Sequence, residues 1–382
     1  MDKAYKNKVD IFNFLRVFAL FCVIGIHSKI VIELFVPYMQ NQFSVFVYTP
    51  AWTAMGIFFM LSGYLLGKGF YKNKYTTDIK GMLSFWITRF IRIFPMYFLL
   101  LFISFLFICP EFFFSQKWKI LIPLFTFTFT DQGSHFSFGA TWFISTIMQL
   151  YFAMPIVFAI IKKWFKNHDK LLFFIVITAG LLWRMYALHA QLDWKTSVYL
   201  PSWVNADYFF AGMLLNSFTQ NSPDNKIKKI IRPVSILALF GLTAHLMNLY
   251  YHEHYTFYQY YSQTCMILVI SAIVWSFDFS GKTYSAPLTL KNVAKNPLRI
   301  IDYLSMISFG MYLYHSYFLS IMPRMITNPA IFPEHISNGR LFCYTYTSTF
   351  IFLLVWCSIL YFFIEKPSNQ FRHGLFDNKE TK

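Results

Sequence analysis

The sequence predicts an all-α protein, a polytopic transmembrane bundle of about ten spans with both termini in the cytoplasm. Three observations predict it. Hydrophobic residues make up 57% of the chain and charged residues only 13%, too few charges to cover a water-facing surface. Apolar runs near 20 residues recur along the whole length, and about 20 helical residues are needed to cross the hydrocarbon core. The basic residues fall in short clusters between those runs, alternating from side to side.

The first run, 10–34, follows the basic opening MDKAYKNKVD. It is long and has no small-residue cleavage site after it, so it reads as a retained span rather than a removed signal peptide. Runs at 51–68 and 82–108 come next. Residues 119–130 are apolar but short. If they crossed, KKWFK at 162–166 would fall outside, so the charge pattern favours a re-entrant or interfacial piece on the outer face. Such a piece is tolerated at membrane depth only where protein or water covers its backbone. Further spans are expected at 140–161, 171–190, 204–219, 233–250, 259–277, 300–322 and 341–364, with 365–382 a short polar tail. With this threading, 23 of the 33 Lys and Arg lie on the side of the termini and seven on the other side. That asymmetry is the basis for placing both termini in the cytoplasm, as in a multi-pass protein of a bacterial-type plasma (inner) membrane. No internal repeat is visible, so residues 1–382 are expected to form one membrane domain.

The net charge of +16 would raise the question of nucleic acid in a soluble chain. Here topology accounts for it, and no basic-aromatic motif for RNA or DNA accompanies it. Cys22, Cys109, Cys265, Cys343 and Cys357 are widely spaced with no C-x-x-C pair, which indicates neither a zinc site nor a disulfide framework. The YHEHY string at 251–255 lacks the H-E-x-x-H spacing and reads as an outer loop, so no metal is expected.

Ionisable groups inside spans are expensive and are functional candidates by default. Arg16 and His27 are eleven residues apart in the first span. Eleven steps of about 100° make three turns and roughly 20°, so the two share a helix face, separated along the axis by about 16 Å. Such a stripe suits a water-lined cavity. Read alone, His27 is equally well a buried histidine satisfied by a neighbouring helix, and Arg16 a snorkelling arginine. Arg89 and Arg92, in WITRFIRIFPMY, project from one face at the cytoplasmic end of the third span. The pair suits a phosphate-rich ligand, since each guanidinium can donate two hydrogen bonds to phosphate oxygens; a positive-inside anchor is the competing reading. In SFGMYLYHSYF, His315 lies in the outer half of the ninth span at about the depth of His27, with Tyr312 and Tyr314 beside it. Arg184, Asp207 and His245 fall near outer span ends, where they would line an external vestibule or face water.

Four strings, taken together, resemble the acyltransferase 3 family of integral-membrane O-acyltransferases: LRVFALFCVIGIH (15–27), GIFFMLSGYLL (56–66), RFIRIFPMY (89–97), and SFGMYLYH (308–315) with FIEKP (363–367). They occur in the family's order across nearly the whole chain. One region departs: where many members carry an acidic residue, TWFISTIMQLY (141–151) has Ile147 and Met148. The chain also resembles the shorter, membrane-only members, without an appended esterase-like domain.

The resemblance implies transfer of an acyl group, usually acetyl, from acetyl-CoA as co-substrate to a carbohydrate hydroxyl. The acceptor would be O-antigen, capsule, exopolysaccharide or a lipid-linked glycan. It also implies that Arg16 and His27 are essential and that Arg89 and Arg92 serve the acyl donor. A sugar hydroxyl needs a general base, a task that suits His27, although a histidine can also take the acyl group itself. His315, Tyr312 and Tyr64 are the candidates for supporting the acceptor or the developing oxyanion. A transporter or flippase for a lipid-linked glycan is the alternative, since polar groups at mid-membrane and a re-entrant piece are also transporter traits. Against it stand the absent repeat and the absence of paired broken helices.

Overall fold

The computed structural model describes residues 10–35, 51–108, 110, 119, 122–129, 140–220, 222–251, 256–278, 299–326, 328 and 338–376. These form helices and connecting turns, with no strand among the described residues. Among the described residues, ten long helices overlap the ten expected segments. They are α1 (Ile11–Phe35), α2 (Ala51–Tyr71), α3 (Ile79–Ile103), α4 (Thr141–Trp164) and α5 (Asp169–His189), followed by α6 (Ser202–Thr219), α7 (Lys226–Tyr251), α8 (Thr256–Phe277), α9 (Arg299–Ile326) and α10 (Asn338–Leu360). Eight are long and apolar enough to cross a membrane. The other two, α6 and α9, fall short because they carry much of the buried polar chemistry, Asn205, Asp207 and Asn216 on one and Ser305, Ser308 and His315 on the other.

One departure from the sequence reading is plain. Residues 365–382 were expected to be a polar tail, but a π-helical turn (Tyr361–Glu365) carries α10 directly into α11 (Lys366–Phe376), which packs on α3. Residues 122–129, expected to belong to a short re-entrant or interfacial piece, form a single helical turn and a reversal. Protein covers their backbone: Tyr97 donates to Leu124 O (3.0 Å) and Gln149 to Phe127 O (2.6 Å).

Helix α1 runs parallel to α9, with Asn13 beside Asp302 and His27 beside His315, while α2 runs antiparallel to α6, with Gly63 against Phe209 and Gly212 against Met60. One end of the bundle, here the proximal end, gathers the start of α1, the end of α2 and the end of α8. Phe12 stacks on Tyr64 with centroids 5.6 Å apart, and Tyr64 in turn donates to the Asp278 carboxylate. The distal end is rich in tryptophan: Trp52 donates to Ser262 Oγ (3.1 Å) and packs edge-on against Trp194 (5.4 Å).

The closest helix pair is α2 with α6, and glycine makes it so. A Cβ on Gly63 would sit 1.8 Å from the carbonyl oxygen of Phe209, and one on Gly212 would sit 2.2 Å from that of Met60. The two backbones therefore touch reciprocally, the small-residue packing that apolar surroundings favour because no hydrophobic force draws helices together there.

Between α5, α6 and α8 lies an ion pair. Arg184 Nη1 is 2.6 Å from Asp207 Oδ2, and the side chains are 0% and 5% exposed. Arg184 also donates to Gln263 Oε1 (3.3 Å) and Thr264 Oγ1 (3.1 Å). The vestibule expected for these two residues is thus replaced by a buried contact in which each charge takes the place of the other's water. His245 packs edge-on against Tyr258.

Candidate active site

The site begins at the proximal end of α1. Asp10 starts the helix: its carboxylate accepts from the amide of Phe12 and its carbonyl from that of Phe14, both at 2.9 Å. One turn on, Asn13 is a hub between α1 and α9. It donates to Asp302 Oδ1 (2.8 Å), and its own carbonyl oxygen accepts from Ser305 Oγ (2.9 Å) and Arg16 Nη1 (3.4 Å). Because Asp302 can only accept, the Asn13 amide is held with its oxygen toward Arg16.

Arg16, Arg89 and Arg92 converge on one cavity formed between α1, α2, α3, α4 and α9. Both members of the R-x-x-R pair face it, as their shared helix face predicts. Arg89 is buried and its Nη2 donates to Tyr75 OH (3.4 Å), while its Nε has no acceptor among the described residues. Arg92 is exposed at the surface side of the cavity. An uncompensated buried donor is costly, and three guanidiniums around a concavity have the chemistry to hold an anion with several oxygens. Ser62, Tyr151, Ser305 and Ser308 add hydroxyls. Ile147, standing where the family pattern is often acidic, faces the same space, so this wall is apolar.

Farther along α1, His27 and His315 come together with ring centroids 4.7 Å apart, edge to face. The expectation of equal depth becomes direct contact. His27 Nδ1 lies 2.9 Å from the carbonyl of Val23. A carbonyl can only accept, so Nδ1 carries the proton, and in the neutral ring Nε2 carries the lone pair. His315 is fixed in the same manner by the carbonyl of Tyr312, and its Nε2 accepts from Ser316 Oγ at 3.2 Å. His315 is 1% exposed whereas His27 is half-buried, so His27 is the one with access to a small molecule.

Tyr312 joins the two regions. Its ring lines the arginine cavity, lies 5.5 Å from the ring of His315, and is pinned by its hydroxyl to Ala140 O (3.3 Å). Tyr314 faces elsewhere, toward Met96 O and Trp356. Tyr64 belongs to neither region. Its hydroxyl donates to Asp278 and lies 3.0 Å from Thr219 Oγ1, while Lys68 Nζ reaches both Asp278 oxygens at 2.9 Å. Residues 252–255 of the YHEHY string lie outside the described residues.

The reading from sequence missed Asn13, Asp302, Ser305 and Ser308. The last two carried a signal: Ser305, Ser308, Tyr312 and His315 step along α9 at three- and four-residue intervals, one helix face.

A family model described as an acyltransferase domain matches residues 9–366. A Staphylococcus aureus (strain COL) protein, provisionally named an O-acetyltransferase, is 19% identical over 374 residues, covering 90% of this chain and 56% of the relative. The peptidoglycan O-acetyltransferase OatA of Listeria monocytogenes is 24% identical over 284 residues, covering 68% of this chain and 43% of the relative. The chain thus spans about half the length of the curated relatives it matches. No solved structure matches it.

Proposed function

The chain belongs to the acyltransferase domain family, and from that premise we propose that it moves an acetyl group from acetyl-CoA, bound from the cytoplasmic side, to a hydroxyl of a cell-surface or lipid-linked carbohydrate. The observation that carries this is the pairing, in one site, of a three-arginine cavity with a histidine pair, joined through Tyr312.

In this reading Arg16, Arg89 and Arg92 hold the phosphates of the donor, each able to make charge-assisted hydrogen bonds. His27 Nε2 takes the proton of the acceptor hydroxyl as its oxygen bonds to the thioester carbonyl carbon. The C–S bond then breaks, and the protonated His27 returns the proton to the departing thiolate. His315 holds the His27 ring by edge-to-face contact. The reading supplies both termini with a cytoplasmic position and the acceptor with an approach to the half-buried face of His27.

The test uses membranes from cells that make the chain, incubated with acetyl-CoA, with release of free CoA and ester-linked acetyl on glycan as readouts. Wild-type chain is expected to give both, and His27→Ala at normal abundance neither. Retained acetylation in that variant removes His27 from the chemistry. Absence of both products with wild-type chain returns the reading to a transporter.

A further inference from the structure

Neither histidine lines the arginine cavity. Among its lining residues are three aromatic side chains from three different helices, Phe58 of α2, Phe143 of α4 and Tyr312 of α9. Each touches the other two. The ring centroids are 6.1 Å apart for Phe58 and Phe143, 5.9 Å for Phe58 and Tyr312, and 5.0 Å for Phe143 and Tyr312. The members are held from behind. Phe143 is 7% exposed and packs on Phe59 at 4.8 Å, and the Tyr312 hydroxyl is tied to Ala140 O. Tyr312 also presents its ring to His315, which touches His27. The link from the arginine cavity to the histidine pair thus runs through Tyr312 and the two phenylalanine rings packed on it.

We propose that the Phe58–Phe143–Tyr312 triangle selects the acyl group by length, admitting the two carbons of acetyl and turning longer chains away. The proposal rests on the acyl-transfer reading of the site. Its physical basis is packing. Rings in mutual contact leave no slack, so each added methylene has to displace a ring whose far side is already filled. Discrimination by an apolar pocket runs at roughly 10- to 200-fold per methylene.

The test compares acetyl-, propionyl- and butyryl-CoA by release of free CoA, in membranes from cells that make the chain, with membranes lacking it as the blank. Wild-type chain is expected to slow by about tenfold or more at each added methylene. Phe143→Leu and, separately, the milder Phe58→Leu at a half-buried position are expected to raise the butyryl-to-acetyl ratio by about tenfold. Tyr312→Phe keeps the ring and is expected to keep the wild-type ratio. The ratio is taken within one preparation, so it is independent of how much of each variant folds. Equal use of the three donors by wild-type chain overturns the proposal while leaving acyl transfer standing. So does a wild-type ratio in both leucine variants, or an altered ratio in Tyr312→Phe. Release of no CoA from any donor instead removes the acyl-transfer reading, and the proposal with it.

Discussion

The imidazole of His27 on α1 meets that of His315 on α9 edge to face, with ring centroids 4.7 Å apart. Only His27 keeps a half-buried surface, while His315 is sealed at 1% exposure. The two residues are thereby unequal. His27→Ala is expected to lower the rate of acetyl transfer by about 10²- to 10⁴-fold, the range for loss of a positioned general base. His315→Ala is expected to cost less, because it frees the orientation of His27 without removing its nitrogen. Rates of CoA release from acetyl-CoA, normalised to protein abundance, check the order.

Arg89 and Arg92 are expected to act on donor affinity. A hydrogen bond to a charged group contributes about 1.5–3 kcal/mol, so Arg89→Ala should raise the KM for acetyl-CoA by roughly 10- to 150-fold, and the double variant further. Arg89→Lys should recover part of the loss, since an ammonium supplies charge without the planar fork. A KM unchanged in the double variant would make the pair a topological anchor only.

Asn13 is expected to act through Arg16, which it touches, as a positioning residue. Asn13→Ala should raise the KM for acetyl-CoA by about tenfold, roughly 1.4 kcal/mol, with kcat nearly kept. Asn13→Asp alone sets a second carboxylate against Asp302 and should be worse. Combined with Asp302→Asn, which exchanges the two roles in the hydrogen bond, it should recover toward wild type. A contact that only holds the two helices together would lower the Tm of Asn13→Ala and leave its KM for acetyl-CoA unchanged.

The Arg184–Asp207 pair makes a prediction about stability. Removing one partner of a buried pair costs about 3–5 kcal/mol, because the other charge stays buried and unmatched. Arg184→Leu and Asp207→Leu should each lower the Tm in detergent sharply. The double variant should recover much of the loss, as apolar replacement of a whole pair often does. Thermal unfolding of the four proteins completes the cycle.

Sequence periodicity reaches what lies on a single helix. The eleven-residue spacing places Arg16 and His27 on one face, and the three-residue spacing turns Arg89 and Arg92 into one cavity. Contacts between helices are another matter. Asn13 and Asp302 meet across 289 positions of chain, and no local pattern marks either as a partner. Arg184 and Asp207 read as solvent-facing because each was weighed as a lone charge near a span end, while their burial depends on each other. Tyr64 sits in a string of the family pattern, yet it bonds Asp278 rather than joining the histidines, a partner visible only once α2 and α8 are packed. The α11 helix escaped notice because hydropathy detects burial in lipid, and this short segment is polar.

The glycine contact between α2 and α6 has a directional consequence. With Gly63 against the carbonyl of Phe209 and Gly212 against that of Met60, α2 is backed by main chain and has no room to retreat. The side of the cavity formed by Phe58 and Ser62 is therefore an anvil. Any swelling needed to swallow a donor falls to the walls of the cavity that α2 does not make.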